Sequence, residues 1–215
     1  MISIKFESKH KLPGDVYSLS FIPEFPVSFS PGQSIQIFIN DYEHQLYSIA
    51  PGSSTLNIRI VTKLTGSSTF KLALSRLKSG DTLRMKIDDN LSPFSIDANN
   101  VLFLAQGLAI TPFISFLDQK TLIKPPISTI IHVSSGDHLF KTDAMKHADK
   151  SFFPASKNNF IKLLKSNIDE EDFDIINIAG SQDFVIETVC YLISQGIKFS
   201  RLKFEPDYLT LSDIN

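Results

Sequence analysis

Leu46–Tyr47–Ser48–Ile49–Ala50–Pro51 is the stretch from which the fold of this chain is read. An aromatic and a hydroxyl side chain stand side by side between apolar residues, and Pro51–Gly52 closes the run. Neighbouring side chains of a strand point to opposite faces. Tyr47 and Ser48 therefore serve one flat ligand only where that ligand lies along the strand edge. Alone, the stretch describes a barrel strand with a half-buried tyrosine. Its surroundings up to about Ser95 are of the same kind. Residues 2–7, 16–22, 34–39, 45–49, 56–62 and 82–87 are short β-prone runs, parted by Pro13–Gly14, Pro31–Gly32, Pro51–Gly52 and Ser79–Gly80–Asp81. Many short strands at close spacing indicate a small antiparallel barrel. One interruption is helical. Residues 69–77 put Phe70, Leu74 and Leu77 on one face, with Ser67, Ser68 and Thr69 as N-cap candidates.

Beyond residue 100 the period changes. Residues 101–105 are continuously apolar, followed by Gln106–Gly107 and a helix predicted from Pro112 to Leu117. Residues 127–133 form a second apolar run; 174–179 form a third, followed by Gly180 and a helix over 184–194; 197–204 form a fourth. Apolar strands alternating with helices imply a parallel sheet covered on both faces. The expected fold class is thus β followed by α/β. An N-terminal antiparallel β-barrel occupies residues 1–97 and a doubly wound parallel-sheet domain residues 98–215, parted by the polar stretch 97–100. The span 142–165 is weakly patterned and receives no element, and no internal repeat is visible.

Composition narrows the function classes. With 21 Lys and Arg against 23 Asp and Glu, the net charge of -2 gives no reason to expect a nucleic-acid partner. One cysteine excludes an internal disulfide framework and any four-thiolate zinc or iron–sulfur site. The apolar helical pattern around Cys190 predicts a core thiol. His10, His44, His132, His138 and His147 are scattered without ligand-like spacing, so no metal site is expected. The first residues lack the apolar core of a signal peptide. The most apolar run, 101–117, is broken by Gln106, Gly107, Thr111 and Pro112, so no membrane span is expected. A cytoplasmic protein is the expectation.

Pro31–Gly32–Gln33, Leu46–Tyr47–Ser48–Ile49–Ala50, Gly66-x-x-Thr69, Gly107–Leu108–Ala109–Ile110–Thr111–Pro112–Phe113 and Ala179–Gly180–Ser181 follow one another over nearly the whole chain. In that order they resemble the motifs of the ferredoxin–NADP reductase superfamily, in which a flavin-binding barrel precedes a nicotinamide-nucleotide domain. The resemblance implies FAD in the first domain and NADH or NADPH in the second. It implies that Tyr47 packs on the isoalloxazine ring and that Ser48 hydrogen-bonds its polar edge near N5. Gln45 and Leu46 on the same strand, with Ile60 and Val61, complete that site. Gly66, Ser67, Ser68 and Thr69 would present amides to the flavin diphosphate at a helix start, whose partial positive charge suits an anion. Gly107, Thr111, Pro112 and Gly180 would form the nucleotide site, Thr111 nearest the nicotinamide. Glu205 would line the nicotinamide pocket and Tyr208 cover the flavin's other face. Ser48, Thr111 and Glu205 are the catalytic candidates.

Three positions depart from the family pattern. Gln45 stands where the family has an arginine for the diphosphate, Ala109 replaces its second nucleotide glycine, and Ala179 replaces its cysteine. Lys63 is the candidate for restoring a positive charge beside the phosphate turn. Ser134–Ser135–Gly136–Asp137–His138 carries no arginine for a 2′-phosphate, and Asp137 would repel one. NADH is slightly preferred on that ground, although Lys141 lies nearby. The function implied is an FAD-dependent NAD(P)H oxidoreductase passing electrons to a separate acceptor: a ferredoxin-like protein, a flavodoxin, a ferric chelate or a membrane partner. The alternative is a nicotinamide-independent electron-transfer or regulatory subunit of a larger complex, favoured by Gln45, Ala109 and Ala179.

Overall fold

The computed structural model describes residues 1–66, 68–89, 92–118 and 127–204. The chain divides into two compact units, Met1–Ser92 and Pro93–Asn215. The first holds β1 (Ile2–Leu12), β2 (Val16–Pro23), β3 (Ser34–Phe38), β4 (His44–Ser48), β5 (Ile58–Lys63), α1 (Thr69–Arg76) and β6 (Thr82–Ile87). They form one antiparallel sheet in the order β4-β3-β6-β1-β2-β5. Just past edge strand β4, the Ala50 N–H donates to the Arg59 carbonyl of the opposite edge strand β5 at 2.8 Å. That bond rolls the sheet towards a barrel. Ile4, Leu19, Phe21, Ile35, Ile37, Ile58 and Ile60 fill its inside. Helix α1 adds the buried Phe70 and Leu74, and its Ser68 cap accepts from the Lys71 N–H. Gln33 accepts from the Ser30 N–H and donates to the Asp88 carbonyl, so the Pro31–Gly32–Gln33 turn ties the start of β3 to the end of β6. Strand β1 runs five residues further than its apolar pattern, past a bulge at Phe6/Ser8. Its polar second half is mostly exposed and pairs with β2, so hydrogen bonding, not burial of its own side chains, defines the strand there.

The second unit holds β7 (Asn100–Gln106), a 3₁₀ turn (Gly107–Ile110), α2 (Thr111–Asp118), β8 (Ile127–Val133), α3 (Lys141–His147), β9 (Lys150–Phe152), α4 (Lys157–Glu170), β10 (Ile175–Ala179), α5 (Gln182–Ser194) and β11 (Leu202–Lys203). Its parallel sheet has the order β11-β10-β7-β8-β9. One face packs Leu102, Leu104, Ile131, Ile176 and Ile178 against Phe160 and Leu164 of α4 and Phe184, Val185 and Val189 of α5. On the other face Phe103 meets Phe113 of α2, their ring centroids 5.0 Å apart. Helices thus cover both sides, as continuous apolar strands require. The Asn177 side chain, buried in β10, exchanges two hydrogen bonds with the backbone of Ser95 and holds the entry segment against the sheet.

The weakly patterned span contains α3, β9 and most of α4. Each buries too little for its period to show: α3 hides only Ala144, and α4 only Phe160, Leu164 and Asn167. Residues 197–204 form only a two-residue strand after a 3₁₀ turn, and Phe199 is exposed. Cys190 is a correction. It is exposed, because the buried stripe of α5 runs through Phe184, Val185, Thr188, Val189 and Leu192 and leaves residue 190 outside.

Candidate functional site

In the first unit the relevant residues gather where β4 meets α1. Gln45 and Tyr47 pair across the ladder with Ile37 and Ile35, so they share the core side of β4, while Leu46 and Ser48 alternate to the other. Tyr47 is half-buried and donates its hydroxyl to Gln45 Oε1 at 2.8 Å. Its ring lies 6.3 Å from Phe70 of α1. Burial raises the phenol's pKa against a hydrogen bond with Thr62 that lowers it. Leu46 is exposed and Ser48 half-buried. Ile60 and Val61 are core side chains, so any part they take in ligand contact runs through their backbone.

Gly66 opens the way into α1 with φ +116°, and a Cβ built there meets nothing within 4 Å. The first amides of a helix have no intrahelical partner; here the Lys71 N–H is taken by the Ser68 cap, and Lys63, three residues before Gly66, is exposed. One group works against an incoming anion. The Thr69 hydroxyl donates to Glu43 Oε1 at 2.5 Å, placing a carboxylate at the start of α1. Glu43 carries no signal in the sequence, since its partner is 26 residues away. Ser67, Glu205 and Tyr208 lie outside the described residues.

In the second unit topology picks the place. From β7 the chain moves outward through β8 and β9, then returns to the other side of β7 for β10 and β11. The order therefore reverses between β7 and β10, and in open α/β sheets ligands bind outside the strand ends at such a switch point. The turns that follow these two strands are Gly107–Ile110 and Gly180–Ser181. Gly107 has φ +58°, with open space where a Cβ would stand. Gly180 is needed for space: a Cβ would lie 2.4 Å from Phe184 Cδ1 and 3.0 Å from Gln106 Cβ. Ser181 caps α5 by accepting from the Phe184 N–H. Its own N–H and hydroxyl both donate to Gln106 Oε1, at 3.1 and 2.9 Å.

Thr111 is buried and donates its hydroxyl to the Leu108 carbonyl at 2.7 Å. Pro112 sits in the first turn of α2, where a missing N–H costs nothing. Behind the turn, fully buried His132 of β8 bonds the Gly107 carbonyl through Nε2 at 2.9 Å. Burial pushes its imidazole down to about 4, against that bond, which raises it. Past β8, Asp137 is exposed and Lys141 lies over the Phe153 ring, 5.4 Å from its centroid. Gln106 and His132 were not among the predicted site residues. Their signal was present: His132 is a polar residue inside an apolar strand run, and Gln106 is the polar residue that ends one. Among the described residues no cluster of three or more metal-ligating side chains occurs, and no helix is long and apolar enough to cross a membrane.

No protein-family model and no curated protein matches the sequence. Solved structures do match. Flavohemoglobin from Malassezia yamatoensis, with bound FAD and heme, is similar at TM-score 0.76 and 18% identity, over 94% of this chain and 59% of that one. The flavohem-like FAD/NAD binding domain of nitric oxide dioxygenase from Vibrio cholerae is similar at TM-score 0.76 and 18% identity, over 95% and 97%. A ferredoxin NADP+ reductase from Neisseria gonorrhoeae, with bound FAD and NADP, is similar at TM-score 0.72 and 16% identity, over 94% and 97%. The chain thus spans less than two thirds of the flavohemoglobin but almost the whole of the other two. At these identities the likeness is one of fold. The chain has the fold of the ferredoxin–NADP reductase superfamily, an antiparallel barrel-like sheet followed by a doubly wound parallel sheet.

Proposed function

We propose that the chain is an FAD-dependent NAD(P)H oxidoreductase that passes electrons from a nicotinamide nucleotide to a separate acceptor. The observation that carries the reading is the switch point of the parallel sheet. Two glycine turns meet there, one open to a ligand and one packed tightly enough to hold its neighbour in place.

The residues present fit both groups, unequally. For the flavin, Tyr47 offers a half-buried aromatic face anchored through Gln45, and Ser48 stands next to it on the strand. Gly66 leaves room for an anion at the α1 start. The diphosphate end is the weaker part, because Gln45 brings no charge and Glu43 brings the wrong one. For the nicotinamide nucleotide, the Gly107 turn supplies amides and Pro112 preorganises the helix behind them. A flavin held by Tyr47 and Ser48 would supply the redox chemistry, two-electron exchange with nicotinamide and onward transfer to an acceptor. The chain's own residues bind and orient. Tyr47 stays protonated and packs, Ser48 polarises, and Ser181 with Gln106 holds the β10 turn against the β7 turn. No side chain is required to store a proton in this reading. NADH is slightly preferred as donor, because the exposed Asp137 would repel a 2′-phosphate. The acceptor is a ferredoxin-like protein, a flavodoxin, a ferric chelate or a membrane partner.

Anaerobic titration of the flavin-reconstituted protein with NADH and with NADPH tests the reading. Bleaching of the flavin bands by either nucleotide is the expected result. Bound flavin that neither nucleotide bleaches would instead favour the electron-transfer subunit, and failure to take up flavin would sink both.

A further inference from the structure

A trans peptide points its C=O and the following N–H in opposite directions within one plane. Whatever holds a carbonyl therefore aims the next amide. In the turn after β7 two consecutive carbonyls are held from within. The Gly107 oxygen bonds His132 Nε2, and the Leu108 oxygen accepts from the Thr111 hydroxyl and the Thr111 N–H. The Leu108 and Ala109 amides are thereby turned away from those partners. The Gly107 oxygen can only accept, so Nε2 carries the proton and Nδ1 is the bare nitrogen.

That bare nitrogen is informative. His132 is fully buried, and its Nδ1 has no hydrogen-bond partner among the described residues. A buried imidazole with one nitrogen unsatisfied is an unfavourable choice beside Ile130, Ile131 and Val133 of β8, since nothing offsets the desolvation of the unpaired atom. Packing alone does not call for it. The residue's single directional bond goes to the one peptide whose orientation decides where the turn presents its first amide. Neutrality suits the role: burial keeps the ring uncharged at ordinary pH, so no positive charge is stranded under the turn. Gly107 contributes the left-handed φ that lets its carbonyl reach inward.

We propose that His132 is a positioning residue of the nucleotide site: by gripping the Gly107 carbonyl it aims the Leu108 N–H at the diphosphate of the bound dinucleotide. The proposal rests on the nicotinamide-nucleotide reading given above. It adds a residue that touches neither cofactor, acting through the peptide between Gly107 and Leu108.

The test compares wild type with His132→Leu, which removes the donor, and His132→Gln, which restores an N–H of similar reach. NADH binding is followed by its fluorescence and steady-state kinetics by flavin-dependent NADH oxidation, with flavin affinity and thermal midpoint as controls. His132→Leu is expected to weaken NADH binding about tenfold, the loss of one well-aimed hydrogen bond to a charged group. KM should rise, kcat and flavin affinity should stay close to wild type, and His132→Gln should recover most of the affinity. A folded His132→Leu protein that binds NADH like wild type overturns the proposal and leaves the oxidoreductase reading standing. Should His132→Leu fail to fold, His132→Val, which also removes the donor, takes its place and is judged by the same outcomes. Wild-type protein that binds neither NADH nor NADPH overturns the function reading itself, and this proposal with it.

Discussion

Gly180 and Gly107 stand at the ends of neighbouring parallel strands, yet they are glycine for different reasons, and substitution separates the two. At Gly180 the cause is space. A Cβ would lie 2.4 Å from Phe184 Cδ1 and 3.1 Å from its Cγ, against 3.4 Å or more for an ordinary contact, so something must yield by about 1 Å. Phe184 cannot yield freely, because its ring packs 5.2 Å from that of Phe160 in the core under α4 and α5. Gly180→Ala should therefore cost about 1–3 kcal/mol, the range for an overpacked site. For a chain of this length that lowers the thermal midpoint by roughly 2–12 °C. At Gly107 the cause is backbone. The left-handed φ of +58° penalises a Cβ by about 1–2 kcal/mol, but no atom stands in its way. Asparagine tolerates that conformation, so Gly107→Asn should lose less than Gly107→Ala. Gly180→Asn should be no better than Gly180→Ala. Thermal melts by circular dichroism on the four variants measure the pattern. A Gly180→Ala midpoint at the wild-type value, or an Asn that rescues position 180 rather than 107, would refute the assignment of space to one and φ to the other.

Three further outcomes are expected. Glu43→Gln should tighten FAD about two- to fivefold by removing a carboxylate from the α1 start, while riboflavin, lacking the diphosphate, binds as before; titration of flavin fluorescence reads the ratio. Tyr47→Ala and Ser48→Ala should weaken flavin retention or slow its reduction, and full colour with full reduction rate in both would remove them from the site. The third outcome concerns pH. The native His132 imidazole titrates at about 4 and the unfolded one near 6.5, so between these values only the unfolded chain binds the proton and stability falls as pH falls. Above the window neither state is protonated and below it both are, so the term is flat outside. Its full size is about 3 kcal/mol. Urea unfolding of wild type and His132→Leu across the window should show the slope smaller in the variant, and parallel slopes would contradict it.

Much of the architecture was legible locally. Proline–glycine turns spaced between β-prone runs announced a β unit, and apolar strands ending in glycine turns before helices announced a parallel sheet. Both signals live within a few residues, where backbone conformation is decided. α3, β9 and α4 were not legible, because short elements with one to three buried residues leave no period to read. Cys190 was misplaced for the converse reason: an apolar run exceeds the stripe that the core accepts.

By itself, then, the sequence determined the two unit types, the order of the motifs and the glycine turns that follow the strands. Tertiary structure alone decided which strands become neighbours, and hence that the turns after β7 and β10 meet where the strand order reverses. It also decided which polar side chains meet. Gln106 with Ser181, His132 with Gly107 and Glu43 with Thr69 are joined across 75, 25 and 26 residues. No local rule of spacing reaches so far: a strand's periodicity says which face a residue takes, and only the packed sheet says what stands opposite.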